Sequence, residues 1–120
     1  MPAPTVITYR DMEPSPGLES KVAAWASNLE EVYDRIIRIE VVIGANRKRG
    51  LKGARYDVGI RIELPGPDVF ISNHPGPDEA HEDAYLAVRD SFKAARRRLQ
   101  DHVATQLRRD HRLRDKPSFF

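Results

Sequence analysis

The sequence predicts an α+β domain with the element order β-α-β-β-β-α, in which a four-stranded mixed sheet carries two helices on one face. Two segments place apolar residues at helical spacing, four short segments alternate or are rich in β-branched residues, and turns containing Gly or Pro separate them. Each element has one apolar face, so all of them must share one core. The 120 residues suit a single domain.

The first strand is predicted at residues 5–9, a β-branched and aromatic segment that ends before two prolines. The first helix should begin at Ser15, whose hydroxyl can cap it, with Pro16 at the first helical position, where proline is favoured. Its apolar stripe consists of Leu18, Val22, Trp25, Leu29 and Val32. We interpret Trp25 as a core residue rather than a platform for base stacking.

The second strand is predicted at residues 36–43, and its core-facing residues are Ile37, Ile39, Val41 and Ile43. The third is predicted at residues 55–64, and its core-facing residues are Tyr56, Val58, Ile60, Ile62 and Leu64. After a turn at 65–68, residues 69–73 form a short edge strand. The initial strand-helix-strand unit requires parallel pairing through a right-handed crossover, whereas the later strands can pair as antiparallel hairpins.

The second helix is predicted at residues 83–107, preceded by Asp78 as a possible N-cap. Its apolar stripe consists of Tyr85, Val88, Phe92, Ala95, Leu99 and Val103. At roughly 100° per residue, four basic residues fall together beside this stripe or farther round toward solvent. These residues are Arg89, Lys93, Arg96 and Arg97. We assign residues 1–107 to one α+β domain and residues 108–120 to a flexible, basic C-terminal tail.

The charge is unevenly distributed along the chain. Residues 89–120 carry ten Lys/Arg against four Asp/Glu, net +6, whereas residues 1–88 carry ten against fourteen, net −4. A clustered basic face is expected of a protein that binds a polyanion, because contacts with phosphates release counterions. For a helix considered alone, a solvated charged face is the alternative interpretation.

A second basic cluster lies between the second and third strands. Its members are Arg47, Lys48, Arg49, Lys52 and Arg55. With no carboxylate among them, these charges repel one another and do not favour folding, so a polyanionic partner is one explanation and a solubilising loop is the other. The candidate RNA-binding set also includes the basic tail residues Arg108, Arg109 and Arg112.

The composition excludes several kinds of protein. Cysteine is absent, so no disulfide framework, thiolate metal site or cysteine nucleophile is present. The N-terminus lacks the order of a secretory signal, and no apolar segment approaches the roughly 18 residues of a membrane span. We therefore expect a soluble cytoplasmic protein that does not bind a membrane. We further expect that it binds no small-molecule substrate, needs no cofactor and is a monomer when free.

One cluster could support an enzymatic alternative. It contains His74, Asp78, Glu79, His81, Glu82 and Asp83. Histidine with carboxylates can bind Zn²⁺ or Mn²⁺ or transfer protons, but the spacing matches no metal motif, and acidic residues before a helix are explained by the helix dipole. We therefore predict no catalytic residue and no metal site. His102 and His111 have no neighbours in sequence that indicate a site.

Two segments resemble a known family. LEEVYDRI at residues 29–36 is similar to the family pattern at the end of the first helix, and Asp83, Tyr85, Ala87, Val88, Asp90, Ala95, Arg97 and Leu99 are similar to its second-helix pattern. The family is that of the bacterial ribosome hibernation-promoting factors and ribosome-associated inhibitor A, also known as sigma-factor modulation proteins. The resemblance covers residues 4–107 in matching element order.

The resemblance implies a fold similar to a double-stranded-RNA-binding domain and a stress-response protein that inhibits translation. Family members bind rRNA of the small ribosomal subunit in the decoding channel, where mRNA and tRNA would lie. Basic residues make the contacts, and by position these are Arg89, Lys93, Arg96 and Arg97. Lacking a second, C-terminal dimerisation domain, the chain resembles the short form of the family. A non-ribosomal RNA-binding or protein-interaction module with this fold is the alternative.

Overall fold

A computed structural model describes residues 3–46, 55–73 and 84–115 of the chain. The element order is β-α-β-β-β-α, as predicted from the sequence. The elements are β1 (Thr5–Arg10), α1 (Pro16–Val32), β2 (Arg38–Asn46), β3 (Arg55–Glu63), β4 (Val69–Asn73) and α2 (Ala84–Asp115).

The four strands form one mixed sheet in the order β1-β2-β3-β4. β1 is parallel to β2, and the β2–β3 and β3–β4 pairs are antiparallel. Strand side chains alternate between the two faces of a sheet, and the buried face here is apolar. Its fully or nearly fully buried residues include Ile39, Val41, Ile43, Val58, Ile60, Ile62 and Ile71. The predicted pairing of the strands is therefore confirmed.

Helix α1 begins as the sequence predicted. The Leu18 N–H donates a hydrogen bond to the Ser15 hydroxyl at 3.3 Å, and Pro16 is the first helical residue. The cap satisfies a backbone donor that the first helical turn would otherwise leave unpaired. Val22 and Leu29 are buried in the core, whereas the helix side that faces away from the sheet is exposed.

Helix α2 packs against α1 and against β3 and β4. Val88, Phe92, Ala95 and Leu99 are buried, which confirms the predicted stripe, and Tyr85 and Val103 at its ends are half-buried. Trp25 of α1 is also half-buried against this core, and its ring lies 5.4 Å from Tyr85 and 5.7 Å from Phe92 between centroids. Aromatic residues therefore fill the space between the two helices.

The structure differs from the sequence-based prediction at Ile37, which was expected to face the core. Its side chain is 53% exposed, and Ile36 is buried instead. The reason is local: a turn at residues 34–35 follows α1, and β2 begins only at Arg38. Since residues 36 and 37 precede the strand, alternation cannot be extended back to them.

The second helix is longer than predicted. It continues past Leu107 to Asp115, so residues 108–115, which were expected to be part of a flexible tail, have helical backbone. The prediction ended where the apolar stripe ended, but no glycine or proline follows until Pro117. The end of an apolar stripe is therefore not by itself a signal that a helix ends.

Candidate nucleic-acid interface

Helix α2, which packs against the core, carries the four predicted basic residues Arg89, Lys93, Arg96 and Arg97, which we call the basic flank. Lys93, Arg96 and Arg97 are exposed, and the side chain of Arg89 is 41% exposed. The spacing of four, three and one residues keeps these side chains on neighbouring positions of one helical side. The buried stripe beside these residues fixes that orientation, so the basic flank borders α1 and solvent rather than the sheet.

Local partners differ among the four basic residues. Nε and Nη2 of Arg89 donate to Oδ1 of Asp90 at 3.3 and 3.2 Å, and Nη1 of Arg96 donates to Oδ1 of Asn28 at 3.3 Å. Lys93 and Arg97 make no ion pair with any residue in the described part of the chain. Their charges are therefore available to an external anion.

Three of the four residues border one cleft between α1 and α2. The cleft has a volume of about 220 Å³ and is lined by Trp25, Asn28, Leu29, Arg89, Phe92, Lys93 and Arg96. Its floor is apolar, because Leu29 and Phe92 are buried core residues, and its rim is basic and exposed. Arg97 lies on the same helix but does not line the cleft. An apolar floor with a cationic rim suits an amphipathic anionic ligand.

The sequence predicted Trp25 to be a core residue and gave no role to Asn28, whereas the structure has Trp25 half-buried against the core and also lining this cleft beside Asn28. Asn28 is an exposed residue three positions after Trp25, so one helical turn brings both to the α2 side of α1. The available signal was this polar residue beside the apolar stripe. It could not be interpreted without knowing which flank of α2 packs beside α1.

The other predicted RNA-binding residues are only partly described. Arg47, Lys48, Arg49 and Lys52 lie outside the described residues. Arg55 is the first residue of β3 and pairs with Asn46 of β2. Arg108 is exposed on α2, and Arg109 and Arg112 belong to the same helix.

The residues of the enzymatic alternative, His74 to Asp83, also lie outside the described part of the chain, as does the suggested cap Asp78. Among the residues that the structure does describe, no group of three or more His, Asp or Glu side chains could hold a metal ion. Likewise, none of the described helices combines the length and the apolar character needed to cross a membrane.

The face of the sheet that carries no helix has different electrostatics. Arg61 of β3 contacts Glu40 at 3.4 Å, Glu63 at 3.3 Å and Asp68 at 3.0 Å, and Arg38 contacts Glu40 at 3.3 Å. Two guanidinium groups thus face three carboxylates, and the cluster has net charge −1. Because an excess of carboxylates repels phosphate, this region of the sheet is a poor surface for a nucleic acid.

Within this cluster, Asp68 closes the β3–β4 turn. Its Oδ1 accepts the Leu64 N–H at 3.1 Å, and its Oδ2 accepts Nε and Nη2 of Arg61 at 3.1 and 3.0 Å. The hydrogen bond from the Leu64 backbone and then that from Arg61 lower the pKa of Asp68. Conversely, the hydrogen bond with Asp68 raises the pKa of Arg61. The cluster therefore stabilises the edge of the sheet.

A second, wider cavity of about 470 Å³ lies on the same sheet face. It is bordered by the β1, β2 and β3 residues Arg10, Gly44, Asp57 and Gly59, among others. A Cβ atom added at Gly44 would lie 3.7 Å from Arg10 Cβ, which is an ordinary contact distance. The glycine is therefore not required by a close approach, and its lack of a side chain keeps the cavity open. Side chains of both charges border it, unlike the uniformly basic rim of the helix cleft.

Solved structures share this architecture. A ribosomal subunit interface protein from Coxiella burnetii superposes with a TM-score of 0.65 at 17% identity, covering 84% of this chain and 98% of the other. The N-terminal domain of Protein Y from Thermus thermophilus superposes with a TM-score of 0.60 at 16% identity, covering 85% of this chain and 99% of that one. At these identities the similarity establishes the fold.

The family is established by sequence. No curated protein matches the chain significantly. By contrast, the sequence model of the family described as "Sigma 54 modulation protein / S30EA ribosomal protein" matches residues 5–107, most of the chain. This match confirms the family predicted from the two helix patterns, and the β-α-β-β-β-α fold agrees with it. The chain is therefore a member of the sigma 54 modulation and S30EA ribosomal protein family.

Proposed function

We propose that this protein binds rRNA of the small ribosomal subunit in the decoding channel and inhibits translation under stress. Membership of its family indicates a ribosome-associated hibernation protein. The observation that carries the rRNA proposal is the convergence of Arg89, Lys93 and Arg96 on one exposed rim, with Arg97 beside them. No chemical step is involved, and the protein acts in the cytoplasm by occupying space that mRNA and tRNA need.

Both the charge and the placement of the α2 basic residues favour binding to RNA phosphates. Guanidinium groups keep their charge at all relevant pH values and can donate two parallel hydrogen bonds to one phosphate. Mounted on one side of a helix packed against the core, they lose less conformational freedom on binding than charges on a mobile loop would. The α2 flank therefore supplies a defined site, and the basic residues in the sequence between β2 and β3 supply additional charge.

The charge contrast between the two faces supports an orientation. The helix side carries the basic flank, whereas the cluster around Arg61 on the sheet side has net charge −1. A folded RNA surface attracts the former and repels the latter. In the proposed complex, the helices therefore face the rRNA.

The first test removes charge from the cleft rim. We expect the triple variant Arg89→Gln, Lys93→Gln, Arg96→Gln to co-sediment less with small ribosomal subunits than the unaltered protein. Each lost phosphate contact should lower the slope of log affinity against log salt by about one, so the triple variant should lower it by about three. Binding is measured by sedimentation at several salt concentrations.

The matched control removes three charges elsewhere. Arg10→Gln, Arg35→Gln, Arg98→Gln changes net charge equally, but these exposed side chains lie outside the cleft. It should bind nearly as well as the unaltered protein. Equal weakening by both triple variants would mean that only total charge matters, and unchanged binding of the rim variant would refute the proposed surface.

A competition experiment tests the location. If the protein occupies the decoding channel, mRNA and initiator tRNA prebound to the small subunit should reduce its binding, and the protein should inhibit cell-free translation. Absence of the protein from the small-subunit fractions of stationary-phase cells would instead favour the non-ribosomal alternative.

A further inference from the structure

We propose that the cleft between α1 and α2 accepts one unstacked base of RNA, with the adjoining phosphate on its basic rim. This inference rests on the proposed RNA-binding function. It adds contact with a base to the phosphate contacts already proposed for the α2 surface. The phosphates are contacted by Lys93 and the arginines, whereas Trp25 and Asn28 contact the base, and the buried Phe92 forms the floor beneath it. The cleft would then recognise single-stranded or extruded nucleotides rather than regular duplex.

The size of the cleft limits its occupant. Pockets for drug-sized ligands have volumes of about 300–1,000 Å³, so a cleft of about 220 Å³ suits a single ring system. Its aromatic wall is the half-buried Trp25 ring, which packs on Phe92 of the floor with 5.7 Å between centroids. Aromatic side chains are the usual contacts of unstacked bases, since every base has a π face.

The polar groups of the cleft complement a nucleotide. Asn28 Oδ1 accepts a hydrogen bond from Arg96 at 3.3 Å, which leaves its side-chain amide N–H groups to donate to base acceptors. Lys93, which forms no ion pair with any described residue, lies on the same rim and can contact the phosphate. An acidic protein segment could satisfy the cations, but it would not use an aromatic wall and an amide together as well as a nucleotide does.

The test uses the fact that Trp25 is the only tryptophan of the chain, so its fluorescence reports on the cleft alone. The probes are a short oligoadenylate RNA and an abasic oligonucleotide of the same length, which has the same phosphates and no bases. We expect oligoadenylate to quench Trp25 and to bind about tenfold more tightly than the abasic probe, given the usual contribution of one stacked base.

Identical Trp25 responses to the two probes, or saturating oligoadenylate binding without any response, would overturn the proposal. A variant pair then locates the effect: Asn28→Phe fills the cleft, whereas Ser27→Phe adds the same ring at the adjacent exposed position, which does not line it. The first should lose the preference for bases and the second should keep it. The comparison of probes on the unaltered protein decides the question even if a variant does not fold.

The two proposals can fail separately. If the bases make no difference but the rim triple variant still weakens small-subunit binding, the base site is wrong and the RNA surface stands. If Trp25 responds to bases but neither the rim variant nor the cleft variant changes small-subunit binding, the base site stands and the proposed ribosome-binding surface is wrong.

Discussion

At the scale of single residues, Asp68 illustrates how one carboxylate can determine the pH dependence of stability. Its folded-state pKa is lowered by the Leu64 N–H and by Arg61. A carboxyl whose pKa is lower in the folded state contributes stability that is complete above its unfolded pKa, about 3.9, and is lost as pH falls through the folded pKa.

We therefore expect Asp68→Asn to lower the free energy of unfolding at neutral pH, because the amide cannot pair with Arg61 as a carboxylate does. The difference from the unaltered protein should remain constant down to about pH 5 and shrink below about pH 4, where Asp68 becomes protonated first in the unfolded chain and only at lower pH in the folded protein. Urea unfolding at a series of pH values measures this difference in the free energy of unfolding. Asp101→Asn makes the same charge change at an exposed α2 position and should show little difference at any pH. A pH-independent effect of Asp68→Asn would contradict the linkage.

The same scale explains why part of the candidate site was not predictable. Helical periodicity located Arg89, Lys93 and Arg96 on one side of α2, because that depends only on spacing within one helix. Whether Asn28 or another α1 residue lies opposite depends on how two helices are rotated against each other. A single sequence does not specify this rotation, so the cleft became recognisable only in the folded chain.

At the scale of elements, α2 has two parts with different roles. Leu99 is fully buried between the helices and the sheet, whereas Leu107 is 63% exposed. The first part owes its stability to packing, whereas Leu107 and Arg108 near the end of the family match are exposed and bury little apolar surface. The boundary coincides with the end of the family match at residue 107.

A matched pair of substitutions tests this division. Leu99→Ala should lower the free energy of unfolding by about 2–5 kcal/mol, because a cavity remains in the core. Leu107→Ala, the same chemical change on the same helix, should alter it by no more than about 0.5 kcal/mol. Thermal or urea unfolding followed by circular dichroism measures both. A large effect of Leu107→Ala would mean that the distal helix packs against another part of the protein.

The interiors of the elements could be predicted from the sequence more accurately than their ends. Strands β3 and β4 were predicted to within one residue, because clean alternation between turn signals depends only on local sequence. The misassigned Ile37 and the early end assigned to α2 both lie where an element meets a connection. At these positions, the direction of a side chain and the end of an element depend on turn geometry and on helix-stopping residues. Hydrophobic periodicity gives no information about either.

At the scale of the whole molecule, the two faces of the fold have different electrostatic characters. The helix side presents an exposed basic flank, and the sheet side presents the cluster around Arg61 together with Phe70, which is 59% exposed. Arg61 lies over the Phe70 ring at 5.7 Å and is also paired with carboxylates. The arginine at the centre of the sheet face is therefore occupied internally, whereas Lys93 and Arg97 on the helix face are not paired with described residues.

This polarity predicts which face lies nearer to rRNA, and the chain is well suited to the measurement because it has no cysteine. A single cysteine can be placed at Ala94, an exposed α2 position beside Lys93, or at Thr8, an exposed position on the open face of β1. A hydroxyl-radical source tethered to each should cleave small-subunit rRNA more strongly from position 94 than from position 8. The cysteine-free chain treated with the same reagent provides the background. Stronger cleavage from position 8 would reverse the proposed orientation, because the sheet face with the cluster around Arg61 would then be the one that faces the RNA.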